Sequence, residues 1–318
     1  MATLSEFLAE WHSPDPYVQA HTSGSTGTPK PIRLLKADMQ LSARATNSFF
    51  GIGEHSVLAS PLSFGYIAGK MMAVRTIEAH CALVPLPVSN RIELPDTLPH
   101  VDLLPIVPSQ IESLLAQPAY AARISHVLVG GAAPSPAQCR ALTDAGYKAY
   151  ISFGMTETCS HVALARADDT TRTFHAMPGI SFSTDSHGCL AIEAPHFSFG
   201  RLQTNDVVQL IDSTSFRWRG RADGVINSGG IKLFPEELES LYAPMLGDRP
   251  FYVCGTPHPV WGQAAILVLE GDTDTAAIAS ALRAAIADTH RLPKEIIAVP
   301  SLPRTENGKI RRIDPRKP

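Results

Sequence analysis

The run His126-Val-Leu-Val129, which stops at Gly130-Gly131-Ala132-Ala133-Pro134 and hands over to a helix-permissive stretch from Pro136 to Ala145, restricts the chain to a small set of folds. A short apolar segment that ends in glycines before a helix reads as a strand whose C-terminal end opens onto a turn. The unit recurs: Tyr150-Ile-Ser-Phe-Gly154 is a further strand ending at glycine, and Gly146 between the two suits a helix C-terminus, since glycine enters the left-handed region without a Cβ clash. Upstream, Ser56 to Ser60 and Ala82 to Pro87 read as strands on either side of a helix from Ile67 to Ala79, and a strand with a short helix is expected between Asp102 and Leu115. Alternation of this kind predicts an α/β fold with ligands at the C-terminal ends of the strands.

The rest of the chain surrounds that unit. Leu4 to Trp11 is patterned as a short amphipathic helix closed by Ser13-Pro14-Asp15-Pro16, and Lys36 to Phe50 as a helix with Met39, Ala43 and Phe50 on one face. Ile180 to Phe216 alternates as a small β subdomain. Arg217, Arg219 and Arg221 beside Gly220 and Gly224 form a hinge-like stretch. A hairpin around Ser228-Gly229-Gly230, a helix starting at Pro235, strands at Phe251 to Cys254 and Ala264 to Leu269, and a helix from Ala276 to Thr289 make a small α+β domain.

With 318 residues the chain is long enough for about two domains. A net charge of −3 without long like-charged runs argues against nucleic-acid and membrane-surface partners. Five scattered cysteines with no Cys-x-x-Cys argue against a zinc site or a disulfide framework. No basic segment opens the chain as in a signal peptide, and no apolar run reaches the roughly 18 residues of a membrane span. A cytoplasmic location is the expectation.

Four segments are candidates for chemistry. His21-Thr-Ser-Gly-Ser-Thr-Gly-Thr-Pro-Lys30 packs hydroxyls (Thr22, Ser23, Ser25, Thr26), two glycines (Gly24, Gly27) and Lys30 into one loop, which is the composition of a polyphosphate cradle and also of a polar surface turn. Its spacing is not that of a Walker A loop. Thr156 and Glu157 follow the Gly154 turn, either as a helix N-terminus or as a place where Glu157 holds magnesium. Thr204-Asn205-Asp206 is an acidic turn or a ribose-binding aspartate, and Lys309 lies in Pro303-Arg-Thr-Glu-Asn-Gly-Lys-Ile-Arg, a turn that projects a lysine outward.

In order and spacing, these segments resemble the adenylate-forming superfamily of acyl-CoA synthetases, luciferases and peptide-synthetase adenylation domains. The loop up to Lys30 matches that superfamily's phosphate loop, Phe153-Gly-Met-Thr-Glu157 its Tyr-Gly-x-Thr-Glu, and Thr204-Asn205-Asp206 its Thr-Gly-Asp. Gly220-Arg221-Ala-Asp223 is similar to its hinge, Ser228-Gly229-Gly230 to its thiol-tunnel loop, and Arg304 to Arg311 to its C-terminal lysine motif. The resemblance runs from residue 18 to 312 and implies residues 1–222 as an ATP- and acid-binding domain and 223–318 as a mobile domain carrying the catalytic lysine.

Carried over by position, Thr22 to Lys30 would orient the β- and γ-phosphates, Glu157 would bind Mg2+, and Thr156 would touch the α-phosphate. Phe153 would stack on adenine beside Gly130, Gly131 and Ala132, with Asp206 and Arg221 on the ribose. Asp223 would be the pivot, Lys309 would serve adenylation, and Gly229, Gly230 and Lys232 would serve transfer to coenzyme A. The resemblance is strongest to compact o-succinylbenzoate:CoA ligases of menaquinone synthesis, and it implies an AMP-forming acid:CoA ligase with ATP, Mg2+ and coenzyme A. A carrier-protein loader and a nucleotide-binding pseudoenzyme are the alternatives.

The sequence also departs from the pattern. Only about twenty residues precede the phosphate loop where relatives carry more than a hundred, so most of a first subdomain is expected to be missing, with a homodimer or a smaller acyl pocket as compensation. Phe153 lacks the usual tyrosine hydroxyl, and Asn205 replaces a glycine. Pro61-Leu-Ser-Phe-Gly-Tyr-Ile-Ala-Gly-Lys70 lacks a histidine that many relatives have, so acid selection must differ there. Lys70 either reaches from the helix face to solvent or, for an acid with two carboxylates, binds the one that does not react, with Ser160 or His161 assisting, because a buried anion needs a partner.

Overall fold

A computed structural model describes residues 3–21, 31–247, 249–304 and 310–316. The chain divides into two compact units, one of Met1–Ser183, Ala191–Leu202 and Leu210–Arg217, the other of Thr184–Leu190, Gln203–Gln209 and Trp218–Pro318.

The chain begins with α1 (Leu4–Trp11), started by a reciprocal capping box in which Glu6 N donates to Thr3 Oγ1 and Thr3 N to the Glu6 carboxylate. Phe7 and Trp11, four residues apart, bury its inner face. β1 (Tyr17–His21) and β2 (Pro31–Leu35) pair antiparallel with His21 opposite Pro31. β2 leads directly into α2 (Lys36–Phe50). Met39 and Ala43 are fully buried on α2 as the pattern predicts, and Gly51 ends the helix in the left-handed conformation.

β3 (Val57–Ser60), α3 (Ile67–Ala79) and β4 (Ala82–Pro85) form one crossover, since β3 and β4 are parallel. α3 packs close to the preceding loop: a Cβ on Gly69 would collide with the Ser63 carbonyl. β5 (Val101–Ile106), α4 (Ile111–Leu115), β6 (Ile124–Val129), α5 (Pro136–Asp144) and β7 (Ala149–Gly154) extend the same layer. β3, β5, β6 and β7 are parallel in that spatial order. Near-continuous burial along β5 and the end of β6 marks strands covered on both faces. Gly146, at φ +85, closes the segment after α5 as expected.

From β7 onward the pairing becomes antiparallel, through β8 (His161–Arg166) and β9 (Thr173–Ala176). β10 (Ser181–Thr184), β11 (Cys189–Ala194), β12 (Gly200–Asp212) and β13 (Ser215–Arg221) follow, and the eleven-stranded sheet has the order β10-β11-β12-β13-β9-β8-β7-β6-β5-β3-β4. α1, the β1–β2 hairpin, α2 and α3 share one core that includes Phe7, Val18, Met39, Met71 and Val74.

The second unit carries β14 (Ile226–Ser228), β15 (Ile231–Leu233), α6 (Pro235–Leu246), β16 (Phe251–His258), β17 (Gly262–Glu270), α7 (Thr275–Ala285) and β18 (Glu295–Val299). Pro235 occupies the first helical position of α6, with Glu236 and Glu237 in its first turn. Asp274 caps α7 by accepting from Ala276 N and Ala277 N. That helix ends at Ala285, short of the expected Thr289, and residues Thr289–Arg291 form a separate 3-10 turn. β18 completes the sheet by pairing parallel with β17.

Candidate functional site

The parallel strands β5, β6 and β7 deliver the residues that follow their C-terminal ends to one edge of the sheet. A Cβ at Gly130 would lie 2.8 Å from Ser152 Oγ and force that hydroxyl to shift, and Gly131 takes φ +78. At the next strand end Gly154 lies against the backbone of Ser160 and His161, too close for any Cβ. Thr156–Thr158 forms a 3-10 turn held by Thr158 Oγ1, which donates to its neighbours and accepts from Met155 N at 3.1 Å. Thr156 and Glu157 are half-buried on this turn. Glu157 makes no hydrogen bond or ion pair among the described residues, so its carboxylate oxygens are available to a hard cation, which takes oxygen donors and few carboxylates. Phe153 is half-buried and meets Phe174 and Phe216 at centroid distances of 5.7 and 5.0 Å.

Cys159 is held in the left-handed region at φ +61, which is costly for a residue with a Cβ and marks this turn as over-determined by its surroundings. Its thiol is fully buried and pushed up to about 12 by that burial, so it is no nucleophile at neutral pH.

Beside this turn lies Arg75 of α3, 2% exposed. Its NH2 donates to Ser160 Oγ at 2.6 Å and its NH1 to Met72 Sδ at 3.3 Å, while its Nε has no partner. No carboxylate lies within ion-pair distance of it among the described residues, and desolvation brings the guanidinium down to about 10. His161 is buried next to it, with Nδ1 3.3 Å from Ser160 Oγ and Nε2 3.2 Å from Thr46 Oγ1. Burial first, and the Arg75 charge second, hold this imidazole well below its ordinary value, so it is neutral.

Lys70, expected to bind a substrate carboxylate, is not part of this cluster. Its Nζ donates to Glu10 Oε2 at 2.8 Å and to the Gln19 carbonyl at 2.7 Å, and lies 5.1 Å from the Phe7 ring. The lysine is buried, and its counter-charge comes from α1. Of the three residues assigned to the second carboxylate, Ser160 and His161 are together, and Arg75 replaces Lys70 as the cation beside them.

In the second unit Asp206 is buried, accepts from Trp218 Nε1 at 2.9 Å, and is pushed above the ordinary carboxylate range by burial. Arg221 grips Asp223 with two bonds of 3.0 and 3.2 Å. Gly229 and Gly230 turn the β14–β15 hairpin at φ +59 and +87, as the sequence predicts, and Lys232 is exposed on β15 opposite Asn227. Gly229 N donates to the Trp261 carbonyl at 2.9 Å, and a cavity of about 170 Å³ beside it is lined by Ser228, Ile231, Trp261, His290 and Lys294. Thr22, Ser23, Gly24, Ser25, Thr26, Gly27, Lys30 and Lys309 lie outside the described residues.

The sequence profile of the AMP-binding enzyme family matches residues 5–182, and that of the AMP-binding enzyme C-terminal domain matches residues 237–309. The chain belongs to the AMP-binding enzyme family. The family match on the first unit contains the Gly154–Glu157 turn and the Arg75 cluster, and the C-terminal match extends to Lys309. A solved acyl-CoA synthetase (AMP-forming)/AMP-acid ligase II-like protein from Dyadobacter fermentans is 32% identical, with a TM-score of 0.63 over 96% of this chain and 90% of that one. The o-succinylbenzoate coenzyme A synthetase of Bacillus subtilis, solved with ATP and magnesium ion, shares the fold at TM-score 0.77 and 21% identity over 92% of this chain and 68% of that one. The 2-succinylbenzoate--CoA ligase of Staphylococcus epidermidis is 25% identical over 92% of this chain and 67% of its own length. The fold is thus that of adenylate-forming enzymes, mixed α/β with a large N-terminal and a small C-terminal domain. Among the described residues no helix is long and apolar enough to cross a membrane.

The sequence did not single out Arg75 or Thr46 as partners of Ser160 and His161. The available signal was a second cation in an apolar helix; Glu78, three residues on, could have paired with it, and the structure pairs Glu78 with Arg44 instead.

Proposed function

We propose that this AMP-binding enzyme is an acid:CoA ligase whose acid carries a second carboxylate, with o-succinylbenzoate as the substrate. The observation that carries the reading is Arg75: a buried guanidinium with no carboxylate partner among the described residues, joined to Ser160 three residues beyond Glu157. Leaving such a charge unpaired is costly, and an anionic ligand removes the cost.

In the first step a carboxylate oxygen attacks the α-phosphorus of ATP and pyrophosphate departs. In the second, a thiol attacks the acyl carbonyl, AMP departs and the thiol proton is lost. Bound Mg2+ would offset charge on the triphosphate. Glu157 is the residue to hold it, and Thr156 is the one to meet the α-phosphate. Lys30 and the hydroxyls of Thr22 to Thr26 bind the departing phosphates, and Lys309 offsets charge where the acid meets phosphorus. Phe153 and Gly130 to Ala132 take adenine, and Asp206 with Arg221 takes ribose. Residues 223–318 turn about Asp223 between the steps, so that Gly229, Gly230 and Lys232 attend the coenzyme A thiol. The enzyme works in the cytoplasm in menaquinone synthesis.

The test compares Arg75→Met on o-succinylbenzoate and on 3-benzoylpropionate, which keeps the aliphatic acid and lacks the aromatic one. A selective loss of ~2 kcal/mol or more in kcat/KM for the diacid is expected. Equal loss on both acids would remove Arg75 from substrate recognition.

A further inference from the structure

The polar groups behind Arg75 form a chain whose donors and acceptors are fixed from both ends. At one end Arg75 can only donate, so Ser160 Oγ accepts and keeps its own proton for another partner. At the other end Thr46 Oγ1 donates to the Ser42 carbonyl at 3.0 Å, and a carbonyl can only accept. Thr46 therefore has only lone pairs left for His161 Nε2, 3.2 Å away, and that nitrogen must carry the imidazole proton. A neutral ring with Nε2–H has a bare Nδ1, and Nδ1 takes the Ser160 proton across 3.3 Å. Hydrogen bonds thus run one way from Arg75 through Ser160, His161 and Thr46 to the backbone of α2. Thr46 is fully buried and His161 nearly so, so water does not compete for these groups.

We infer that Thr46 and His161 are positioning residues which, acting through Ser160, hold Arg75 in the orientation that receives the non-reacting carboxylate of the acid. This rests on the substrate reading above. If Thr46 loses its oxygen, Nε2–H becomes a buried donor without an acceptor, and the ring proton moves to Nδ1. Nδ1–H then competes with Arg75 for the lone pairs of Ser160, the Ser160 proton has no acceptor, and the guanidinium is no longer held by one defined bond. The chemistry at phosphorus does not pass through this chain, so the effect belongs in KM for the diacid.

Two measurements test this. The first is the tautomer of His161 in the unliganded wild-type protein, read from long-range proton–nitrogen correlations of 15N-histidine and assigned by its loss in His161→Gln. Nε2–H is expected near neutral pH, and an Nδ1–H ring or an imidazolium would overturn the proposal. This measurement decides even if the next variant fails to fold.

The second is the kinetics of Thr46→Val and Thr46→Ser. Thr46→Val should raise KM for o-succinylbenzoate about tenfold, the scale of one charge-assisted hydrogen bond, with kcat and the KM for 3-benzoylpropionate within about twofold of wild type. Thr46→Ser, which restores the oxygen, should recover most of the loss. An equal rise on both acids, or no recovery with serine, would overturn the positioning role and leave the Arg75 reading standing. Failure of Arg75→Met to distinguish the acids would instead remove the substrate reading, whatever the tautomer.

Discussion

Lys70 and Arg75 sit five residues apart on α3, about 140° around its axis, and meet different surroundings. Lys70 faces Glu10 of α1, and Arg75 faces Ser160 with no acid in ion-pair reach among the described residues. Removing one member of a buried pair leaves the other uncompensated. Lys70→Met should therefore cost ~2 kcal/mol or more of unfolding free energy, less than for a fully enclosed pair because Glu10 keeps 29% of its side chain exposed. Chemical denaturation measures this, and the ratio of KM values for diacid and monoacid should not move. A stable variant with a selective loss on the diacid would return Lys70 to the acid pocket.

Asp206 makes a second prediction at this scale. Burial raises its carboxyl above the ordinary range against the pull of the Trp218 bond, so the unfolded chain ionises first as pH rises. The native state loses stability as pH climbs through the folded value. Asp206→Asn should accordingly stabilise the protein near neutral pH and do little below the carboxylate range. Its KM for ATP should rise about tenfold or more as a charge-assisted ribose contact is lost. A stability change independent of pH would contradict the first half, and an unchanged KM for ATP would contradict the second.

At the scale of elements, the C-terminal segment is tied to the second unit by polar contacts. Thr256 Oγ1 on β16 donates to Asp314 Oδ2 at 2.6 Å, Tyr252 Oη to the Ile313 carbonyl at 2.6 Å, and Arg316 grips Asp314 and Glu295. The Arg316 and Thr256 bonds hold the Asp314 carboxyl well below its usual range. A depressed carboxyl contributes stability above its unfolded value, and the contribution is lost as pH falls through the folded one. Asp314→Asn should lower stability at pH 7 by about 1 kcal/mol, a modest figure because Arg316 is half-exposed, and this deficit should shrink in acid. Thermal melts at pH 7 and pH 3 check it, and an equal deficit at both would contradict it.

These elements also show how far the sequence could be read. α1 and α3 match the sequence reading to the residue, and in α1 the Thr3 capping box, the apolar spacing and the prolines that follow all agree. The Gly229–Gly230 turn was legible because only glycine accepts that backbone. β2 and β18 were not: Pro31-Ile-Arg-Leu-Leu35 and Glu295-Ile-Ile-Ala-Val299 are short runs without a clear period, made into strands by the partners they pair with. The turn from Gly154 to Glu157, which carries the candidate site, was legible as a turn. Which of the two cations on α3 lies beside Ser160 and His161 was not legible, because Lys70 is drawn to Glu10, sixty residues before it in sequence.

Across the whole molecule, the reading joins a nucleotide-binding strand edge in the first unit to a C-terminal family domain whose match ends at Lys309. The direct measurement is pyrophosphate release by the purified protein from ATP with a panel of mono- and dicarboxylic acids, with and without coenzyme A, alongside thioester formation. The account predicts pyrophosphate release that depends on o-succinylbenzoate, a single turnover without coenzyme A, and sustained turnover with stoichiometric thioester when it is added. Pyrophosphate release that coenzyme A leaves unchanged, with no thioester formed, would contradict it and point to a different acceptor. No release with any acid would reduce the chain to a nucleotide-binding protein.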